Sequence, residues 1–342
     1  MSSQNQLLVT GCAGFIGYHL TKRLLHQGYS IIGIDNLTPY YDVSLKKDRL
    51  KQLLPHENFT YQQISIEDGS KIKHIFSENE FESVIHLAAQ PGVRYSFENP
   101  QAYIDTNITG FLSILEACRY HQPKQLIFAS SSSVYGANTE MPFSEEHRVD
   151  HPLSLYGMTK KSNELMAYTY TSQFGTPTIG LRFFTVYGPW GRPDMALFSF
   201  TKSILSGKTI KVYNHGNMKR DFTYVDDIIE GIVRLIEKDN NIGDKNKKLT
   251  QPVTNTNDLP YRIYNIGNQN PVNLLEFIEV LEKKLGIQAN KELLPMQAGD
   301  LSETYADVDM LVKDVDYKPN TTIKEGISRF VDWYLEYYNK KK

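Results

Sequence analysis

The stretch Leu7-Leu-Val-Thr-Gly-Cys-Ala-Gly-Phe-Ile-Gly17 decides the fold. The apolar run Leu7 to Thr10 predicts a buried strand, and Ile16, Leu20 and Leu24 recur beyond it at helical spacing. Between them Gly11, Gly14 and Gly17 form a turn with G-x-x-G-x-x-G spacing. The commoner fingerprint is G-x-G-x-x-G, but the physics is shared. Glycines let the chain turn tightly and let a pyrophosphate approach the backbone at a helix N-terminus. Such a turn can also occur with no ligand, so it needs support from elsewhere. Asp35 supplies it by closing a second apolar run, Ile31 to Ile34. About 20 residues past the glycines, a carboxylate accepts hydrogen bonds from the adenosine ribose. It also repels a 2′-phosphate, and no arginine adjoins it, so NAD is favoured over NADP. The plain alternative is an aspartate that caps a turn.

Working outward, short apolar runs predict further strands at Phe59 to Ile64, Ser83 to His86, Gln125 to Ala129 and Pro177 to Leu181. Helical patterns lie between them, most clearly over 101–121 and 155–174. This alternation predicts an α/β fold, a Rossmann-type parallel sheet flanked by helices. The expected division is 1–181 as the NAD-binding domain. Residues 182–342 then form mainly a smaller α/β substrate domain, with some segments returning to the first. Later helical patterns fall near 196–206, 226–237, 273–285 and 322–338, and the polar stretch 238–260 reads as a surface insertion. Small residues in Leu87-Ala88-Ala89 would let the backbone lie against the cofactor, whereas the preceding His86 reads as structural.

Composition narrows the class. The chain has 342 residues, 40% of them hydrophobic, and a formal charge of -2, which gives no reason to expect nucleic acid or an anionic membrane as partner. No apolar run approaches the ~18 residues of a membrane helix. The N-terminus lacks the pattern of a signal peptide, and two cysteines make neither a disulfide framework nor a metal site. A cytoplasmic protein without a metal is expected.

Chemistry enters with Ser130-Ser-Ser-Ser133 and Tyr156-Gly-Met-Thr-Lys160. Tyr156 and Lys160 are four apart at the start of a helix, so they share a face. A nearby ammonium and the positive nicotinamide would favour a phenolate, making Tyr156 a base near neutral pH. Asn107 interrupts an apolar helix face and needs a partner.

The glycine turn, the HLAA strand end, Asn107, SSSSVYG and Y-x-x-x-K together resemble the extended short-chain dehydrogenase/reductase superfamily, in its nucleotide-sugar epimerase and dehydratase branch. Further segments are similar to the UDP-glucuronate 4-epimerases: Asp35 to Asp42, Gln90 to Ser96, Leu181 to Pro193 and Met296 to Asp300. The resemblance implies roles. Ser131, Tyr156 and Lys160 are the catalytic set, with Tyr156 as base, Ser131 on the sugar O4 and Lys160 on the nicotinamide ribose. Phe15, Ile16, Asn36, Ile66, Asn107 and Phe184 join the cofactor contacts, with Ile66 flanking the adenine and Asn107 anchoring the catalytic loop. Ser130 is expected to serve the turn. Arg192 and Arg220 would meet the nucleotide diphosphate, Tyr213 the uracil, and Asp300 the uridine ribose or an anchoring arginine. Arg220 could instead be a simple ion pair with Asp221, and Tyr213 a core aromatic. Ser132, Ser133 and Thr185 are candidate contacts for a C6 carboxylate, with Arg94 a weaker one.

The implied reaction is NAD-dependent C4 epimerisation of a UDP-sugar through a transient ketose, most readily UDP-glucuronate to UDP-galacturonate. UDP-glucose and UDP-N-acetylglucosamine, or its uronate, stay open as substrates. Dehydratase relatives carry Asp-Glu after the active-site hydroxyl and decarboxylase relatives a Glu; here Ser132 and Ser133 stand there. A non-catalytic NAD-binding scaffold is the remoter alternative. A homodimer packed through helices near 101–121 and 155–174 is also implied. Two departures are Ser65, where relatives often have Asp, and Pro91, where Ala is usual.

Overall fold

The computed structural model describes residues 5–238, 259–297 and 301–339. Its centre is a seven-stranded, wholly parallel sheet in the order β10 (Tyr261–Ile266), β6, β5, β4, β1, β2, β3. The first six strands are β1 (Gln6–Thr10), β2 (Ser30–Ile34), β3 (Phe59–Gln62), β4 (Ser83–His86), β5 (Gln125–Ser131) and β6 (Thr178–Phe183). Helices α1 (Phe15–His26), α2 (Val43–Leu53) and α3 (Gly69–Glu78) alternate with the first four. Successive side chains bury on opposite faces, as a sheet covered on both sides requires. Leu7, Val9, Ile31 and Ile127 pack with α1, and Leu8, Ile32, Val84 and Leu126 with α3 and the helix α6 (Phe111–His121). Strand order reverses between β1 and β4, so a crevice opens there at the carboxyl ends of the strands.

The helical stretch expected over 101–121 is present, with a change of winding inside it. Two single turns, α4 (Tyr95–Glu98) and α5 (Pro100–Tyr103), lead into a π-helical turn at Ile104–Gly110, and only then does α6 begin. The wider turn carries one extra residue, a feature common at functional sites. It leaves the Asn107 carbonyl to a neighbour: Asn163 Nδ2, on α7 (Leu155–Phe174), donates to it at 2.5 Å. Apolar spacing could not show this, because it continues on both sides of the widened turn.

Past residue 182 the chain builds a second layer around β9 (Lys219–Tyr224). This strand pairs with β7 (Thr185–Tyr187), β11 (Pro271–Asn273) and β13 (Glu303–Thr304). A separate pair joins β8 (Ile210–Val212) to β12 (Lys291–Leu293). Helices α8 (Ala196–Leu205), α10 (Leu274–Leu285), α11 (Asp309–Val315) and α12 (Ile323–Asn339) complete it. Two late segments go back to the large sheet: α9 (Val225–Glu237) packs on α1, and β10 (Tyr261–Ile266) adds the seventh strand beside β6. Most of the expected insertion 238–260 lies outside the described residues, as does Asp300. No described helix is long and apolar enough to cross a membrane, and no described group of side chains could hold a metal ion.

Candidate dinucleotide and sugar site

A cavity of about 1090 Å³ opens at the carboxyl ends of the strands, between the large sheet and the second layer. The glycine turn forms its floor. Gly11 has φ +73°, and a Cβ there would sit 2.8 Å from the Ala88 nitrogen. A Cβ on Gly17 would come within 2.1 Å of the Gly11 carbonyl. Side chains are therefore excluded from the turn itself, which keeps its backbone tight against Ala88. Gly14 opens α1 with no side-chain cap, so the first-turn N–H groups, which have no intrahelical acceptor, are available to a ligand. Gly14, Phe15, Ile16 and Gly17 all line the cavity. The buried Asp35 accepts from the backbone N–H of Ala13 at 3.2 Å and of Leu37 at 2.8 Å. It thus caps its loop and also faces the cavity. Asn36 and Ile66 complete this end; Asn36 donates to Ser65 Oγ at 3.1 Å, in the place of the usual aspartate.

Leu87, Ala88 and Ala89 form the adjoining wall. The Thr10 hydroxyl accepts from the Leu87 and Ala88 N–H groups at 3.1 and 3.0 Å. With both lone pairs used, its proton points to His86 Nδ1, 2.9 Å away. His86 is buried and stacked on Phe111, and burial, then the charge of Lys160, lowers its pKa to about 3. It is a neutral structural group. Asn107 was expected among the cofactor contacts. It stands behind the wall instead, bonding both main-chain groups of Gln90 and, at 3.0 Å, the Thr159 hydroxyl. It anchors the loop that carries Pro91 and Arg94 to the helix that carries Tyr156.

Ser131, Tyr156 and Lys160 converge on the cavity. Ser131 favours the charged form of the Tyr156 phenol, and its Oγ accepts from the Ser133 N–H at 3.1 Å. Ser131 therefore caps the turn into the short 3-10 helix Ser132–Tyr135. Ser130, expected to serve that turn, is buried in β5 and donates to Glu164 at 2.7 Å. The alternation of a strand places it on the opposite face from Ser131. Lys160 Nζ donates to the Ala129 carbonyl at 2.9 Å, and burial lowers its pKa to about 7. Burial raises the Tyr156 pKa, opposed by Ser131 and by the charge of Arg192. Arg192 is thus a cation whose charge favours this phenolate.

Arg192 holds Asp194 through two bonds, 3.1 and 2.8 Å, and Tyr40 reaches across the cleft to the same carboxylate at 3.2 Å. Ser132, Ser133, Thr185 and Phe184 line the same region. Phe184 is buried against the rings of Tyr135 and Phe143. At the far end Arg94 stacks on the Tyr213 ring, 5.0 Å from its centroid, and both line the cavity. Arg220 lines it too, and donates to the carbonyls of Leu301 at 2.6 Å and Ser302 at 3.2 Å, the segment adjoining Asp300. It is not spent on Asp221, whose carboxylate accepts from the N–H groups of Asn268, Gln269 and Ala306.

Sequence reasoning missed four participants. Lys46 faces Asp35, Asp194 holds Arg192, and a buried Glu164–Arg182 pair ties Ser130 to α7. Charged residues inside apolar surroundings, Glu164 on α7 and Arg182 in β6, were the available signal, since an isolated buried charge needs a partner.

A glycine-cradled helix start beside a Ser-Tyr-Lys cluster defines a dinucleotide-binding enzyme of the short-chain dehydrogenase/reductase type. The comparisons agree: residues 7–267 match the NAD dependent epimerase/dehydratase family, and the chain belongs to it. More particularly, it is 56% identical over 337 residues to Protein CapI of Staphylococcus aureus, covering 98% of this chain and 100% of that protein. It is 46% identical over 335 residues to a probable UDP-glucuronate 4-epimerase of Rhizobium meliloti, covering 97% and 98%. Among solved structures it resembles the UDP-glucuronic acid 4-epimerase of Bacillus cereus in complex with UDP-glucuronic acid and NAD. That match has a TM-score of 0.87 and 34% identity, over 97% of this chain and 100% of that one.

Proposed function

We propose that the protein interconverts UDP-glucuronate and UDP-galacturonate by NAD-dependent epimerisation at C4. The observation that carries this reading is the wall beside Tyr156: hydroxyls along Ser131 to Ser133, with no carboxylate among them. Such a wall suits an anionic sugar. A carboxylate on the serine run would repel a uronate and offer it an acid or base. The bound ligand of the Bacillus cereus neighbour supports the same assignment.

The cradle of Gly11, Gly14 and Gly17 fits a pyrophosphate, and Asp35 the adenosine ribose. When bound, NAD supplies a reversible hydride acceptor for C4. Tyr156 takes the O4 proton and gives it back, while Ser131 orients O4 and the phenol together. Lys160 holds the nicotinamide ribose. Arg220 and the Tyr213 face grip the nucleotide, so the sugar can turn while its handle stays fixed. A 4-ketone lies β to the C6 carboxylate and is prone to lose carbon dioxide. Arg192, Ser132, Ser133 and Thr185 hold that carboxylate in its charged form, which opposes the loss.

Large apolar side chains point outward from α6 (Leu112, Tyr120) and α7 (Leu165), which suits pairing of two copies through these helices.

The test is purified protein incubated with UDP-glucuronate and its products identified by NMR. UDP-galacturonate is the expected product. UDP-xylose, a stable 4-keto sugar, or conversion of neutral UDP-sugars alone overturns the reading. Tyr156→Phe is expected to retain NAD and lose turnover.

A further inference from the structure

We propose that Arg49 is a positioning residue that joins the two halves of the cavity, holding the glycine turn and the loop of Arg192 at a fixed separation. The inference rests on the reading of the cavity as a site for both NAD and a UDP-sugar.

Arg49 lies on α2 and is wholly buried. A buried guanidinium is costly unless its donors are met. This one donates to uncharged oxygens, and they come from separate parts of the site. One terminal nitrogen reaches the Ala13 carbonyl and the Tyr41 hydroxyl, each at 2.8 Å, and the other reaches the Trp190 carbonyl at 2.5 Å. Ala13 stands inside the glycine turn, and its N–H is given to Asp35, so the peptide groups on both its sides are fixed. Trp190 stands two residues before Arg192. A planar fork spans two such carbonyls, whereas an ammonium is a point charge.

The loop around Trp190 needs this hold. Trp190 has φ +61°, a left-handed backbone that is unfavourable for a residue with a side chain. His19, on α1, donates from Nε2 to the neighbouring Pro189 carbonyl at 2.8 Å. The Trp190 ring packs on Trp333 and Tyr337 of α12, with centroids 5.2 and 4.9 Å apart. The main chain of the loop is thus tied to α1 and α2, and its side chain to the second layer. Neither Arg49 nor His19 lines the cavity, so their effect on a ligand passes through the turn and the loop. Epimerisation presents the two faces of C4 in turn to one cofactor, so the separation must be the same on both occasions.

Calorimetric titration with NAD, and with UDP-glucuronate at saturating NAD, reads the two halves. Arg49→Lys keeps the charge and loses the fork, and is expected to weaken each ligand about fivefold or more. Arg192→Gln should weaken UDP-glucuronate and leave NAD unchanged. With Arg192 gone the loop has no cation to place. Arg49→Lys added to Arg192→Gln should therefore cost UDP-glucuronate little more, while NAD still weakens as in the single variant. A general loss of packing would instead lower both affinities on either background. His19→Leu frees the loop alone, so it should weaken UDP-glucuronate about threefold, spare NAD, and lose its effect beside Arg192→Gln. This arm stands even if Arg49→Lys fails to fold. Additive losses in the combined variants, or unchanged affinities in Arg49→Lys or His19→Leu, overturn the inference. Failure of the wild-type protein to bind NAD or UDP-glucuronate would instead overturn the ligand assignment beneath it.

Discussion

Asn107 grips Gln90 by both of its main-chain groups. The Gln90 N–H donates to Asn107 Oδ1 at 2.8 Å, and Asn107 Nδ2 donates to the Gln90 carbonyl at 3.1 Å. The same amide also reaches Thr159, three residues after Tyr156. One side chain on a π-helical turn thereby sets the distance between the Arg94 loop and the phenol. Asn107→Leu strands two buried backbone groups, each worth about 1–3 kcal/mol. The expected loss is about 2–4 kcal/mol in urea unfolding, with kcat lowered at least tenfold in the surviving folded protein. A stability change below about 0.5 kcal/mol would exclude the anchoring role.

Arg192 should separate charged from neutral sugars. Hydrogen bonds to charged groups contribute about 1.5–3 kcal/mol, or roughly 10- to 150-fold. Arg192→Gln is expected to lower kcat/KM for UDP-glucuronate by a factor in that range. Any turnover of UDP-glucose should change far less, and an equal fall for both sugars would return Arg192 to the nucleotide.

Glu164 and Arg182 form a buried pair, 2.8 and 2.9 Å across two bonds, that also holds Ser130 and the Tyr135 hydroxyl. Removing one member leaves a buried charge without its two-bond partner and costs about 3–5 kcal/mol, whereas replacing both is milder. Glu164→Gln with Arg182→Met should therefore be more stable than either single variant. Simple additivity in thermal melts would show that the pair is not coupled.

His86 makes stability depend on pH. Its pKa falls from 6.5 to about 3 in the fold, chiefly through burial. Between those values the unfolded chain binds the extra proton, so its contribution is full above 6.5 and is lost as pH falls toward 3. His86→Gln is expected to flatten the fall of the urea midpoint across that window. Some slope remains, because His19, lowered to about 4 by burial, acts in the same direction.

Leu165 is 55% exposed on α7 and Tyr120 69% exposed on α6. If two copies pair there, Leu165→Arg converts a dimer to a monomer in analytical ultracentrifugation without altering the far-ultraviolet spectrum. A wild-type monomer would remove the pairing from the proposal.

What the sequence determined by itself was local. The glycine turn, the strand–helix alternation and the shared face of Tyr156 and Lys160 follow from backbone sterics and from the periods of strand and helix, which nearby residues set. The serine run was legible as the absence of a carboxylate. Tertiary structure decided what each polar group meets. Only the packed chain carries Lys46 to Asp35, turns Ser130 to Glu164 and Ser131 to Tyr156, and returns β10 from beyond residue 258 to the sheet edge. It also brings the charge of Arg192 to bear on Tyr156, because burial and distance set a pKa and neither is written in spacing along the chain.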